Sequence, residues 1–323
     1  MDSLSVARVF TCFLPLLILL VGWLRHQSAR DFSCLFPNQR WSYGDVVLVM
    51  ALLTAIGVLH LSDRPSGVLR SAGLIFFLAP VVLLIGALFA IVKWKYGLPL
   101  SALGFPGRHA RYYVAWALTI ASSMLCGIAI LGSLLGGGIS PFGSPGSTEL
   151  WSSLSQSLWV PPSKLLVSLL TILHITIIAP AFEEIFFRGF VYPPCARRFG
   201  YVGAALVTAV IWSLGHADSP RKMIITVFMG LLFARIYRRT QSVLPSMVLH
   251  MAGNATGVIL SVAAGLRNGV NMFPLMALGA LVILIPSVAA VFRLAPADPN
   301  ERSILFGTEQ PNARPAVCEG GGP

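Results

Sequence analysis

Glu183 and Glu184 are the only adjacent carboxylates in a chain of 323 residues that carries just 12 acidic side chains. They stand in Ala181-Phe182-Glu183-Glu184-Ile185-Phe186-Phe187-Arg188, near the end of an apolar run that begins around Leu165. Placing a charged side chain at bilayer depth costs about 2.5–3.5 kcal/mol on insertion scales, so an ionisable group there marks a working site. On an α-helix Glu184 and Arg188 lie one turn apart and can pair, which holds the helix in place. Glu183 points about 100° away around the axis and is left for chemistry.

Four further polar groups lie in apolar runs: His174, His216, His250 and Asn254. His250 and Asn254 are four apart, so both face the same side of one helix. His216 closes another run in Trp212-Ser213-Leu214-Gly215-His216, with Asp218 just beyond. At 1.5 Å per residue Glu183, His250 and Asn254 sit roughly 14, 11 and 17 Å inside the boundary, and His216 roughly 22 Å. Desolvated polar groups on separate helices are costly unless they meet, so Glu183, His216, His250 and Asn254 are read as one site. His174 has no polar neighbour at helical spacing and is read as a helix-to-helix hydrogen-bond partner; His60, near a helix end, is read as interfacial.

The elements that must position these groups follow from composition. With 56% hydrophobic and 11% charged residues and a mean hydropathy of +0.78, the chain is far more apolar than a soluble domain, which carries about 25% charged residues. It is an all-α, polytopic transmembrane bundle. Apolar runs long enough to span fall near 6–24, 45–62, 71–92, 112–135, 164–192, 201–217, 222–238, 243–264 and 271–292, giving about eight or nine spans. The first has no convincing cleavage site before Arg25 and reads as a retained helix. The net charge of +11 reflects Lys and Arg that orient the helices, with most basic residues on the side that makes the N-terminus external and the C-terminus cytoplasmic. No basic cluster interleaved with aromatics suits nucleic acid; the expected partners are the bilayer and a peptide. Cys12, Cys34, Cys126, Cys195 and Cys318 form neither a disulfide framework nor a zinc ribbon.

The expected organisation is N-terminal transmembrane helices over 1–135, an extracytoplasmic Gly/Ser/Pro loop over 136–163, a helical core over 164–264, a last transmembrane helix over 265–293 and a disordered cytoplasmic tail over 294–323. Trp151 and Trp159 in the loop read as interfacial aromatics. Pro180 removes one helix hydrogen bond just before Glu183 and is expected to bend the helix there.

These residues resemble the CAAX protease and bacteriocin-processing (CPBP, or Abi) intramembrane proteases, which include the Rce1-type CAAX endopeptidases. The family's Glu-Glu-xxx-Arg motif matches Glu183, Glu184 and Arg188, and His-xxx-Asn matches His250 and Asn254. Phe-xxx-His appears as Trp212-xxx-His216, which keeps an aromatic. The resemblance covers roughly residues 165–265 and implies peptide-bond hydrolysis in a conical intramembrane cavity. Glu183 would be general base on a water held with His216, His250 and Asn254 would stabilise the oxyanion, and Glu184 and Arg188 would orient the helix carrying the base. No cofactor is expected; a zinc version would use Glu183, His216 and His250 as ligands and a water in the open position.

Two other classes fit the same polar groups. A proton-coupled transporter would use Glu183, His216 and His250 as a relay, although the chain shows no inverted repeat. A non-catalytic immunity or scaffold protein would use the motif residues for packing alone.

Overall fold

The computed structural model describes residues 13–22, 36, 39–62, 82–105, 110–134, 169–216, 220–265 and 273–294. All regular structure among them is helical. In chain order the elements are α1 (Phe13–Gly22), α2 (Tyr43–Ser62), α3 (82–89) running into a π segment (Ala90–Lys95), a 3₁₀ turn (Leu100–Leu103) and α4 (Ala110–Leu134). Then come α5 (169–184), which contains a second π segment (His174–Ile178), a third π segment (Ile185–Val191), α6 (Tyr192–Leu214), α7 (Pro220–Thr240), α8 (Leu244–Gly265) and α9 (Phe273–Leu294). The runs expected at 45–62, 112–135, 222–238, 243–264 and 271–292 each become a helix. The 136–163 loop with Trp151 and Trp159, Asp218 and the tail beyond 294 lie outside the described residues.

Two stretches among the described residues are long and apolar enough to cross a membrane, Leu169–Leu214 and Ala277–Leu294. The first contains two of the expected spans. Its division falls at Gly200, which leaves helical geometry at φ 71° and ψ 175°, a conformation open to glycine because it has no Cβ. The helix before that break starts earlier than the apolar run suggests, at Tyr192, because Pro193 and Pro194 are tolerated in a first turn where N–H groups have no helical partner.

The chain interleaves two compact units, one within Met1–Phe105 and Ile185–Ser242 and the other within Pro106–Glu184 and Val243–Arg302. In the first, α2 begins at a reciprocal capping box. The Asp45 carboxylate accepts from the Ser42 N–H at 2.8 Å and the Ser42 hydroxyl accepts from the Asp45 N–H at 3.2 Å. Lys95 and Tyr96 donate to the same buried carboxylate, so the end of the first π segment is docked on the start of α2. The carboxylate contact also raises the Lys95 ammonium above its usual range.

The π segment Ile185–Val191 is tied into the same unit by its missing donors. Pro194 has no N–H to return to the Phe190 carbonyl, and the Trp41 indole N–H donates to that carbonyl at 2.7 Å while its ring stacks on Phe190. Gly189 has no side chain where a Cβ would strike the Leu103 carbonyl, so the segment lies directly on the 3₁₀ turn. Arg197 on α6 donates to the carbonyls of Phe36, Gln39 and Trp41. In the second unit α4 packs against α8 and α9, and α8 packs against α5.

Candidate active site

In the second unit α5 is not a plain α-helix, and its proline explains why. Pro180 has no N–H to donate to Thr176 at the α spacing or to Ile175 at the π spacing. The Ala179 N–H, which an α-helix would give to Ile175, bonds to the His174 carbonyl and closes a π turn over His174–Ile178. Ile175 is left with a carbonyl that neither register satisfies. The Asn254 side-chain amide donates to it at 2.9 Å, which fixes α8 against α5 two turns before the carboxylate pair.

One turn away on α8, His250 turns its ring onto Ala179–Glu184. Nδ1 lies 3.2 Å from Glu184 Oε1, and Nε2 lies 4.0 Å from Glu183 Oε2. Glu184 is fully buried and His250 nearly so, whereas the Glu183 side chain stays 23% exposed. A carboxylate oxygen accepts, so Nδ1–H donates to Glu184 and Nε2 faces Glu183. A buried carboxylate behind an imidazole fixes its tautomer and ring orientation. Glu183, the more exposed of the two, is the carboxylate a water can reach.

Arg188 belongs to the first unit, within the π segment Ile185–Val191, and is fully buried. Its Nη2–H donates to the Gly230 carbonyl at 3.2 Å, and its guanidinium lies 5.1 Å from the ring centroids of both Trp212 and Phe233. Such desolvated cation–π contacts are worth about 2 kcal/mol each. The carbonyl comes within reach because Gly230 has no side chain. A Cβ there would sit 2.8 Å from Ala209 Cβ and 2.9 Å from its Cα, so α7 lies against α6 almost backbone to backbone. His216 stands in the turn after α6, where Nδ1–H donates to the Trp212 carbonyl at 3.0 Å and the ring meets the indole at 5.0 Å and 64°. This tautomer leaves Nε2 as the nitrogen with the lone pair.

The second unit thus brings His250 onto Glu183 and Glu184, with Asn254 one turn further along α8 on the Ile175 carbonyl, and the first unit holds Arg188 and His216. No spacing rule links His250 to Glu184, since 66 positions separate them. An α-helical wheel also does not carry across Ile185–Val191, where the π register alters the angle between successive residues. Sequence reading missed Ile175 and Gly230 as supports; Pro180 was the one signal for the first. His174 contributes its backbone carbonyl to the π turn. Among the described residues no group of three or more His, Cys, Asp or Glu side chains is arranged to hold a metal ion.

Apolar helices carrying a buried carboxylate and imidazole beside a part-exposed carboxylate and amide define a helical membrane protein with a polar site. Residues 165–256, a stretch containing all six motif residues, match the family model described as type II CAAX prenyl endopeptidase Rce1-like. A Bacillus subtilis (strain 168) protein named "Putative membrane peptidase YdiL" is 31% identical over 91 residues, which is 28% of this chain and 37% of that protein. No solved structure matches. The 165–256 segment is therefore of the CPBP/Rce1 type, as the motifs indicate.

Proposed function

We propose that the chain is an intramembrane endopeptidase that hydrolyses a peptide bond of a membrane-associated or lipidated peptide, within a bundle of about eight or nine spans around a conical cavity. The observation that supports this most is His250, nearly buried, with one nitrogen on Glu184 and the other turned toward the more exposed Glu183. Glu183 takes a proton from water as the water oxygen bonds to the scissile carbonyl carbon, and His216 holds and polarises that water. The oxyanion accepts hydrogen bonds from the Asn254 N–H not given to Ile175 and from His250 Nε2–H, the ring acting in its doubly protonated form with Nδ1–H kept on the Glu184 carboxylate. As the C–N bond breaks, Glu183 returns its proton to the leaving amine. Glu184 and Arg188 act on orientation.

The reaction is proposed as metal-free. In the zinc alternative Glu183, His216 and His250 would hold the ion, which would supply a polarised water. Orientation in the bilayer is proposed with the C-terminus cytoplasmic. The test is comparative proteomics of membrane-associated peptides from cells expressing wild type or Glu183→Ala at matched abundance. Termini that appear with wild type alone support the endopeptidase; identical peptide sets with an altered ion or solute flux would support a transporter instead.

A further inference from the structure

We propose that Trp212 is a positioning residue that sets the orientation of His216 and couples it to Arg188; its catalytic consequence rests on the reading above. Trp212 is 4% exposed and touches both residues through different parts of itself. Its ring lies under the Arg188 guanidinium at 5.1 Å and against the His216 imidazole at 5.0 Å. Its carbonyl receives His216 Nδ1–H at 3.0 Å.

His216 needs such support. It follows Gly215 at the end of α6, with Gly215 exposed and the helix finished at Leu214. The backbone hydrogen bond alone fixes one nitrogen and lets the ring pivot about it. The indole supplies the second contact that stops this motion and keeps the ring seated on the carbonyl, so the face holds a single ring plane and, through the undisturbed hydrogen bond, a single tautomer.

The indole is in turn held from behind. Arg188 is fixed by the Gly230 carbonyl and by Phe233 as well as by Trp212, and Trp212 itself packs on Phe233 at 5.8 Å. A Cβ at Gly230 would approach Trp212 Cε3 to 3.3 Å, so this face of the indole is closed by backbone. Arg188 and His216 are 28 positions apart in sequence, and the Trp212 side chain touches both. A phenyl ring in this place keeps a π face for both neighbours; an aliphatic side chain keeps neither.

The test is ¹⁵N NMR of the His216 imidazole in wild type, Trp212→Phe and Trp212→Leu, read beside peptide cleavage. Wild type and Trp212→Phe should show one tautomer with Nδ1 protonated, and Trp212→Leu should show shifts averaged between tautomers. Its kcat should fall about 10- to 100-fold with little change in KM, as expected for misplaced groups, and Trp212→Phe should restore most of it. If Trp212→Leu fails to fold, Trp212→Met fills the volume without a π face and serves the same comparison. A single Nδ1–H tautomer in the aliphatic variant would overturn the proposal, whatever the cleavage rate. Tautomer changes in the expected order without cleavage by any variant would overturn the protease reading and leave the positioning role intact.

Discussion

The imidazole of His250 is hydrogen-bonded to Glu184, Nδ1 to Oε1 at 3.2 Å, with the carboxylate fully buried. This gives the second carboxylate of the Glu-Glu pair a task different from the first. Glu184→Gln keeps an acceptor for Nδ1–H but removes the charge behind the ring, and activity should fall about 10- to 100-fold with little loss of folded protein. Glu184→Ala leaves the His250 donor buried without its acceptor and should also cost about 1–3 kcal/mol of stability. Thermal unfolding and cleavage assays on both variants check this; equal loss of stability in the two would contradict it.

Pro180 is expected to trade stability for geometry. Alanine there regains an N–H for the helix and removes a residue that disfavours helix interiors by about 3 kcal/mol. The restored donor competes with Asn254 for the Ile175 carbonyl that now accepts its amide. Pro180→Ala should therefore raise the unfolding temperature while lowering activity. A rise in both would show that the π turn has no part in placing Asn254.

Gly230→Ala sets two magnitudes against each other. Alanine is favoured over glycine in a helix by about 0.8–1 kcal/mol, but its Cβ would meet Ala209 Cβ at 2.8 Å and Cα at 2.9 Å. Overpacking of this kind costs about 1–3 kcal/mol, and the neighbouring atoms are fixed to backbone. Net destabilisation is expected, with the Arg188 hydrogen bond weakened as α7 moves away. An unfolding temperature at or above wild type would contradict the close approach.

Activity of the purified protein should survive exhaustive chelation. Loss on chelation with recovery on adding zinc would replace the metal-free reaction with one in which Glu183, His216 and His250 are ligands.

Much of this architecture is legible in the sequence. Helices α4, α7, α8 and α9 follow from apolar run length, and the motif residues follow from the scarcity of charge: in a chain with 12 acidic residues, ionisable groups inside apolar runs are costly and stand out. What stayed hidden depends on register. An α-helical wheel does not by itself say which way Glu183 and Glu184 point, because π turns on both sides of Ala179–Glu184 shift the angles that the wheel assumes. Pro180 was visible as a break, but that its missing N–H frees the Ile175 carbonyl requires knowing where the Ala179 N–H goes. The role of Gly230 is likewise illegible, since it depends on Ala209 in another helix.

The central claim is that the carboxylate of Glu183 activates water to break a peptide bond. Glu183→Gln is nearly the same size and should fold, so wild type and variant are reconstituted at equal abundance and given a panel of membrane-anchored peptides, including prenylated C-terminal ones. Wild type should cleave at least one peptide, and Glu183→Gln should lose about 10²- to 10⁴-fold in rate with substrate binding retained. Cleavage by Glu183→Gln at the wild-type rate would contradict the account.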